Sequence, residues 1–350
     1  MALTVRADLA NLPDYVPGRK IPGAVILSSN EVSTPAPPSV LAAIADAATE
    51  VNRYPQMAND DLMARTSAYL GVPEERIAIG CGSVSLCQQL IQAMCTEGQE
   101  VVFAWRSFEA YPIVTHIAGA RGVRVPLTSD YRHDLDAMLA AVNDNTRVMF
   151  VANPNNPTGS ALHTEELTRF LDAVPDHVLV VLDEAYREFV TDPDLPDGLT
   201  LTANRDNLAV VRTLSKAYGL AGLRVGYAVA SPEVAGAVRK VGIPFSVSRV
   251  AQAAAIAAMD AADELLARCE LIAVERQRVR AELLAMGYEV PETQANFVWL
   301  PLGERTAAFN EHLLGQKIVV RAFVGEGARV TVAQPEENDA FLAAARTFER

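Results

Sequence analysis

The segment that decides the fold spans residues 213–226 and reads Thr-Leu-Ser-Lys-Ala-Tyr-Gly-Leu-Ala-Gly-Leu-Arg-Val-Gly. Lys216 follows Ser215 directly, and Arg224 comes eight positions later. A lysine amine can form a Schiff base with a carbonyl compound, and serine hydroxyls and the forked donors of arginine bind phosphate oxygens. The segment therefore favours an aldehyde cofactor that carries a phosphate. A surface lysine in a loop rich in Gly and Ala is the alternative that this segment alone leaves open.

A second motif follows the apolar run 148–151, which is typical of a buried strand. Residues 151–159 read Val-Ala-Asn-Pro-Asn-Asn-Pro-Thr-Gly, and the Pro and Gly residues predict that the strand ends in a turn. An Asn at the carboxyl end of a parallel strand points its amide into the crevice where such sheets bind ligands. By itself, the motif is equally compatible with an ordinary strand-to-helix turn.

A third motif is the apolar run 178–182, which ends in Asp183 and is followed by Tyr186. A carboxylate at the end of a buried strand needs a partner, because burying an unpaired charge is costly. A protonated pyridine nitrogen is a suitable partner, and an acidic residue is what proteins supply to that nitrogen in pyridoxal enzymes. A helix-capping Asp is the alternative.

A fourth motif, Gly-Cys-Gly-Ser-Val-Ser at residues 80–85, lies between a strand-like and a helix-like segment. Small residues that open a helix leave its first N–H groups and the positive end of its dipole accessible to an anion. A Gly-x-Gly sequence alone is weak support, since turns commonly contain glycine.

In this order, the four motifs resemble those of the fold type I pyridoxal 5′-phosphate-dependent aminotransferases of class II, within the histidinol-phosphate aminotransferase subfamily. The resemblance extends from residues 12–18 to residues 328–332, and residues 80–90 and 105–112 are most similar to the bacterial aromatic amino acid (phenylalanine) aminotransferases. It implies an α/β fold of the aspartate aminotransferase type. A large domain with a mainly parallel seven-stranded sheet and a small α+β domain are expected.

The resemblance implies roles for residues around the cofactor ring. Lys216 is expected to bind the cofactor aldehyde and to carry the proton between the substrate and the cofactor, and Asp183 to keep the pyridine nitrogen protonated. Asn156 and Tyr186 are expected to hydrogen-bond the 3-oxygen of the ring. Phe108 is expected to stack on the pyridine face, with a core aromatic as the competing interpretation.

The resemblance also implies a phosphate site formed by the backbone amides of Ser83 and Val84 with Ser215 and Arg224. The turn at Ser83 varies among similar enzymes, so Ser83 is the less specific of these assignments. Tyr54 corresponds to a tyrosine that reaches the phosphate of the other subunit. A homodimer with shared active sites is therefore expected.

The substrate is expected to meet a second group of residues. Arg329 is a candidate clamp for the substrate carboxylate, because a planar guanidinium matches a carboxylate with two hydrogen bonds. An edge-strand arginine in water is the alternative for Arg329. Arg321 can add to the same anion site, and the resemblance places Tyr15 and Asn30 at the substrate entrance.

The amino-acid composition argues against several classes of binding partner. The chain has 350 residues, half of them hydrophobic, and a net charge of −13, which argues against nucleic acid and anionic membranes as partners. The four cysteines show no metal-binding spacing, so reduced thiols in the cytoplasm and no metal site are expected. No basic-then-apolar signal pattern and no apolar run of membrane-spanning length are present.

The order of segments predicts three regions: an N-terminal arm (1–38) that packs with the small domain, a cofactor-binding large domain (39–240) and a small C-terminal domain (241–350). Alternating strand-like and helix-like segments in the second region favour a mainly parallel sheet covered on both faces. One strand of that sheet is expected to be antiparallel, and the pattern does not indicate which. A long helical stretch at 249–286 is predicted to break near residues 260–263.

Four functions compete at this stage. The leading one is an aromatic amino acid:2-oxoglutarate aminotransferase of amino-acid biosynthesis, and the second is a histidinol-phosphate aminotransferase. A decarboxylase or lyase on the same fold is the third. A non-enzymatic pyridoxal-fold regulator is the fourth, and the acidic composition and the combined presence of Lys216, Asp183, Asn156, Tyr186 and Arg329 argue against it.

Overall fold

The computed structural model describes residue 9 and residues 21–349, so Tyr15 and half of the predicted N-terminal arm lie outside the described residues. In chain order the strands are β1 (Val25–Leu27), β2 (Ile77–Gly80), β3 (Glu100–Trp105), β4 (Arg121–Pro126), β5 (Thr146–Ala152), β6 (Leu179–Asp183), β7 (Leu208–Thr213), β8 (Gly226–Val229), β9 (Phe297–Leu300), β10 (Ile318–Phe323) and β11 (Gly327–Thr331).

The helices cover most of the segments between these strands. In chain order they are α1 (Pro38–Ala48), α2 (Asp60–Leu70), α3 (Ser83–Met94), α4 (Ala110–Ile117), α5 (Leu135–Ala140), α6 (Thr164–Ala173), α7 (Gly198–Leu201), α8 (Pro232–Val241), α9 (Arg249–Asp260), α10 (Ala262–Ala285), α11 (Thr306–Gly315) and α12 (Pro335–Arg346). The predicted break in the long helical stretch is present, since α9 ends at Asp260 and α10 begins at Ala262. None of the helices formed by the described residues is long and apolar enough to span a bilayer.

Seven strands form the central sheet in the order β2-β8-β7-β6-β5-β3-β4. β8 runs antiparallel to both of its neighbours, whereas the pairs from β7 through to β4 are parallel. The predicted α/β fold with a mainly parallel seven-stranded sheet is therefore confirmed. The antiparallel strand that the sequence left unassigned is β8.

Side chains of the central strands alternate between two apolar layers. In β3, Val101 and Phe103 pack in a core with residues of α3 and α4, while Val102 and Ala104 pack in a core with residues of α5 and α6. Because successive side chains of a strand point to opposite faces, a strand that is apolar throughout needs cover on both sides. The continuous apolar runs in the sequence reflect this double burial.

A second sheet has four strands in the order β1-β10-β11-β9. β1 comes from the N-terminal part of the chain and pairs in parallel with β10, while β10, β11 and β9 pair antiparallel. The register of β10 and β11 places Arg321 directly opposite Arg329. The domain boundaries after residues 38 and 240 remain predictions.

Candidate active site

A cavity of about 260 Å³ lies at the carboxyl ends of the central parallel strands, where α/β sheets bind ligands. Asp183 is the last residue of β6, and β7 ends at Thr213, three residues before Lys216, so both side chains lie near the carboxyl ends of the strands. Of the predicted site residues, the cavity brings together Asn30, Ser83, Val84, Phe108, Asn156, Asp183, Tyr186, Ser215, Lys216, Arg224, Arg321 and Arg329.

The loop after β7 presents Lys216 to the cavity. Thr213 Oγ1 accepts a hydrogen bond from the Ser215 N–H at 3.1 Å, and the amine of Lys216 donates to the Ser29 carbonyl at 2.8 Å. The pKa of Lys216 is lowered to about 7, mainly by burial and also by the positive charges of Arg329 and Arg224, while Glu31 opposes this change. A large fraction of the Lys216 side chain is therefore a neutral, nucleophilic amine near neutral pH.

Asp183 is buried at the end of β6. Its carboxylate accepts hydrogen bonds from the Tyr111 hydroxyl at 2.7 Å and from the Ala185 N–H at 3.2 Å. The pKa of Asp183 is raised to about 6, mainly by burial and also by the charge of Glu184, while the hydrogen bonds from Tyr111 and Ala185 oppose the rise. A cationic partner in the cavity would favour the ionised carboxylate.

Tyr111 was not identified from the sequence, although it lies in a stretch that carries the resemblance. Its ring is buried and stacks on Phe150 with ring centroids 4.5 Å apart. One local feature could have indicated Tyr111. It lies three residues after Phe108, at the start of α4, and residues at this spacing can lie on the same side of a helical turn.

Gly82, Ser215, Arg224 and the first residues of α3 form a concave group of hydrogen-bond donors, here called the phosphate cradle. Gly82 caps the helix with φ of +80°, and Arg224 lies beside it with Nη1 donating to Ser215 Oγ at 3.1 Å. A Cβ atom on Gly82 would lie 2.5 Å from Arg224 Nη2, so only glycine allows the guanidinium to approach the helix terminus this closely. Arg224 itself has φ of +57°, a left-handed conformation that is rare for residues other than glycine and is found at functional sites.

Two sets of polar contacts lie on another wall of the cavity. Arg329 Nη1 donates to Asn156 Oδ1 at 2.6 Å, and Nη2 donates to the Ser28 carbonyl at 2.5 Å. Asn30 Nδ2 donates to the Tyr186 hydroxyl at 3.0 Å. Arg329 is buried rather than a solvated edge-strand residue, because its exposed fraction is 7%.

The amide that faces the cavity after β5 belongs to Asn156, not to Asn153, the first Asn of the motif. Asn153 uses both ends of its amide on one residue: Nδ2 donates to the Leu162 carbonyl at 3.1 Å, and Oδ1 accepts from the Leu162 N–H at 2.8 Å. Asn153 therefore stabilises the turn, and Asn156 lines the cavity.

Arg321 reaches the cavity with a partner that the sequence did not indicate. Its guanidinium forms an ion pair with the carboxylate of Glu109, with Nη2 2.9 Å from Oε2. Glu109 directly precedes α4 and also lines the cavity. The anion site predicted around Arg321 thus contains an acidic side chain.

Of the two predicted aromatic cofactor residues Phe108 and Tyr54, only Phe108 lines the cavity. Phe108 lines the cavity and packs edge-on against Tyr111, with ring centroids 5.5 Å apart, so it contacts both the cavity and the core. Tyr54 is 79% exposed and lies against Phe245, outside the cavity lining. Within this chain, Tyr54 does not join the other predicted site residues.

These residues fit pyridoxal 5′-phosphate. Asp183 offers a buried carboxylate for the ring nitrogen, and Lys216 offers an amine with a lowered pKa for the aldehyde. Arg224, Ser215 and the start of α3 offer cationic and hydrogen-bonding groups for the phosphate. Among the described residues, no three His, Cys, Asp or Glu side chains are grouped as metal ligands.

Comparison with known proteins places the chain among enzymes. The family model described as aminotransferase class I and II matches residues 22–345. A protein named aromatic amino acid aminotransferase from Rhodococcus jostii is 57% identical over 349 residues, which cover 100% of this chain and 97% of that protein. A protein with the same name from Thermobifida fusca is 55% identical, covering 98% of this chain and 97% of its own.

A solved structure is similar over nearly the same length. Histidinol-phosphate aminotransferase from Sinorhizobium meliloti, in complex with pyridoxal-5′-phosphate, has a TM-score of 0.90 and 32% identity, covering 98% of this chain and 96% of that chain. An aspartate aminotransferase variant from Thermus thermophilus has a TM-score of 0.82 at 21% identity over 97% of this chain and 99% of its own, which shows the shared fold.

Proposed function

The chain belongs to the class I and II aminotransferases, and we propose that it transfers the amino group between an aromatic amino acid and 2-oxoglutarate. Its cofactor is pyridoxal 5′-phosphate. The observation that carries the choice of substrate is the similarity over the whole chain to proteins named aromatic amino acid aminotransferases.

The cofactor, when bound, supplies an aldehyde for the amino group and an electron-withdrawing ring for the carbanion. Asp183 holds the proton at the ring nitrogen, because its ionised carboxylate stabilises the positive charge there. The amine of Lys216 moves the proton at the substrate Cα. Its pKa of about 7 allows it to accept and to donate a proton near neutral pH.

The remaining residues hold and orient the reacting groups. Ser215, Arg224 and the backbone of Ser83 and Val84 hold the phosphate at the start of α3. Asn156 and Tyr186 hydrogen-bond the 3-oxygen of the ring, and Phe108 covers the ring face. Arg329 holds the substrate carboxylate, with the network through Asn156 and Ser28 fixing its guanidinium. Asn30 lines the cavity on the substrate side. The assignment of Tyr15 to the substrate entrance stays a prediction, because Tyr15 lies outside the described residues.

A histidinol-phosphate aminotransferase is the second candidate. The close superposition on the Sinorhizobium meliloti enzyme favours it, as does the presence of two arginines at one cavity. We favour the aromatic substrate because a buried ring gains roughly 1.5–3 kcal/mol, a preference of about tenfold to a hundredfold.

We further propose a cytoplasmic homodimer in which Tyr54 completes the phosphate site of the other subunit. Tyr54 is 79% exposed, and nearby Ile243 and Met57 are 75% and 62% exposed. Tyr54 also packs against Phe245, which is 40% exposed, and exposed apolar contacts of this kind are common at interfaces. The four free cysteine thiols support a reducing compartment.

A substrate panel tests the proposal. Phenylalanine, tyrosine, tryptophan and histidinol phosphate are compared as amino donors with 2-oxoglutarate, using the Lys216→Ala variant as the inactive control. We expect kcat/KM for phenylalanine or tyrosine to exceed that for histidinol phosphate by about tenfold or more. A preference of that size for histidinol phosphate would overturn the aromatic assignment. Release of carbon dioxide without amino transfer would indicate a decarboxylase instead.

A further inference from the structure

The two arginines of the cavity emerge from the same side of the second sheet. Arg321 on β10 and Arg329 on β11 are directly opposed cross-strand partners, and such pairs present their side chains on one face. Both line the cavity. Two adjacent guanidinium groups can bind a doubly charged phosphate monoester as well as a singly charged carboxylate. The presence of two arginines therefore does not by itself determine the class of substrate.

A carboxylate engages one of these arginines from the opposite wall. Arg321 Nε donates to Glu109 Oε2 at 3.1 Å, and Nη2 donates to Oε1 at 3.0 Å. This is the two-point geometry in which arginine binds carboxylates most strongly. Two acceptors of Arg329, the Asn156 amide oxygen and the Ser28 carbonyl, carry no formal charge. Glu109 therefore adds a negative charge on the Arg321 side of the pair.

We propose that Glu109 determines specificity by restricting this arginine pair to a singly charged carboxylate and excluding a dianionic phosphate monoester. The inference rests on the proposed function, because it concerns the anionic end of the amino donor. Glu109 occupies donors of Arg321 that phosphate oxygens would need. Its charge also repels an incoming anion, and the repulsion rises with the charge of that anion. The Arg321 and Glu109 side chains are 19% and 29% exposed, so solvent screens this interaction only partly.

A purely structural role for the ion pair is the competing explanation, since Glu109 and Arg321 join a loop of the large sheet to the small sheet. A second ion pair, between Arg106 and Glu326, joins the same two parts of the molecule. Glu326 lies in the turn between β10 and β11. The Glu326→Gln variant therefore loosens the same junction and leaves Glu109 in place, which makes it a matched control.

The test measures binding of two non-reactive ligands to the holoenzyme by isothermal titration calorimetry. 3-Phenylpropanoate and 2-phenylethyl phosphate both carry a phenyl ring and differ mainly in their anionic group. The measurement is made at a pH of about 8, where the phosphate ester is a dianion because its second pKa is about 6. The quantity compared is the ratio of the two dissociation constants in the wild type and in the Glu109→Gln, Glu326→Gln and Glu109→Gln/Arg321→Gln variants.

We expect Glu109→Gln to change the ratio of the two dissociation constants by about tenfold or more, in the direction of tighter binding of the phosphate ester relative to the carboxylate. Glu326→Gln is expected to shift it by less than about threefold, and the double variant is expected to lose the gain, because Arg321 no longer supplies the donors. A shift below about threefold in Glu109→Gln, or an equal shift in Glu326→Gln, overturns the proposal.

Two further measurements keep the result interpretable. Glu109→Ala has the same expected direction and replaces Glu109→Gln if that variant does not retain the visible absorbance of the bound cofactor. Failure of the proposed function is observed separately, as absence of phenylalanine turnover by the wild type. An unchanged ligand ratio alongside normal phenylalanine turnover contradicts the role of Glu109 alone.

Discussion

The hydroxyl of Tyr111 donates a 2.7 Å hydrogen bond to Oδ2 of Asp183, and both side chains are buried. A hydrogen bond from a neutral donor stabilises the ionised form of a buried carboxylate, in opposition to desolvation. Burial raises the pKa of Asp183, and this hydrogen bond is the largest influence that lowers it. Tyr111 lines the same cavity and is a positioning residue for the group assigned to the cofactor nitrogen.

Replacing Tyr111 with phenylalanine should weaken catalysis through Asp183. The variant keeps the ring that stacks on Phe150 and loses a hydrogen bond to a charged group, worth about 1.5–3 kcal/mol. The pKa of Asp183 rises, because its charged form loses a donor. We therefore expect the acid limb of the pH profile of kcat/KM to move to higher pH and kcat to fall. Tyr288→Phe is the matched control, since it removes a buried 2.7 Å hydrogen bond to the Ala345 carbonyl. An unmoved acid limb in Tyr111→Phe argues against this role.

Removing the charge of Arg329 should raise the pKa of Lys216. Arg329 lowers that pKa by repulsion, so its loss favours the protonated amine and reduces the neutral fraction at any given pH. The rate at which apoenzyme regains visible absorbance with pyridoxal 5′-phosphate should rise with pH around a midpoint of about 7 in the wild type. In Arg329→Gln we expect the midpoint at higher pH. Arg321→Gln serves as the control, because Arg321 is not among the groups that shift Lys216. Equal midpoints in the wild type and Arg329→Gln would contradict the assignment.

The fold could be predicted from the sequence because its signals are local. The strand ending at Asp183 is an apolar run of adjacent residues, and double burial of a parallel strand produces such a run. The loop of Lys216 is likewise a short segment whose chemistry is visible from neighbouring residues. Which strand is antiparallel was not predictable, since pairing direction depends on the path of the chain between strands.

Glu109 and Tyr111 were not predictable as site residues because their partners are remote in the chain. Arg321 lies 212 residues from Glu109, and Asp183 lies 72 residues from Tyr111. Nothing near either residue indicates that Arg321 of β10 pairs with Glu109, or that the Tyr111 hydroxyl reaches Asp183 at the end of β6. The Asn-Pro turn after β5 shows the same limit at short range. Only the backbone path decides that Asn156, rather than Asn153, faces the cavity.

Adding a single methyl group at Gly82 should impair cofactor binding. Its Cβ would collide with the Arg224 guanidinium, and its φ of +80° is unfavourable for alanine. Gly71→Ala is the matched control for backbone strain, because Gly71 has φ of +65° and nothing lies within 4 Å of its Cβ position. We expect the Kd of apoenzyme for pyridoxal 5′-phosphate to rise by about tenfold or more in Gly82→Ala and to stay within about threefold in Gly71→Ala. Equal effects in both variants would mean that strain, rather than the cradle, is responsible.

Arg212, Glu184 and Asp197 form a cluster of charged side chains, in which Glu184 directly follows Asp183 in the chain. Arg212 Nη2 lies 2.6 Å from Glu184 Oε2 and 2.6 Å from Asp197 Oδ1, and Glu184 also accepts the Gly198 N–H at 2.8 Å. The side chains of Arg212 and Glu184 are only 9% and 1% exposed. Glu184→Gln leaves the buried guanidinium with less compensating charge, and breaking such a pair costs about 3–5 kcal/mol.

We therefore expect Glu184→Gln to lower the Tm of the holoenzyme by several degrees, measured by scanning calorimetry at equal protein and cofactor concentrations. Glu282→Gln is the matched control. Glu282 pairs with Arg346 at the surface, where the two side chains are 46% and 65% exposed, and such pairs contribute about 0–1 kcal/mol. Replacing both partners, as in Glu184→Leu/Arg212→Met, should cost less than Glu184→Gln alone, because the buried Arg212 guanidinium no longer remains without its Glu184 partner. Two results would contradict the view that the Glu184 charge stabilises the fold by compensating buried Arg212. One is a double variant that is as unstable as Glu184→Gln. The other is an equal Tm for Glu184→Gln and Glu282→Gln.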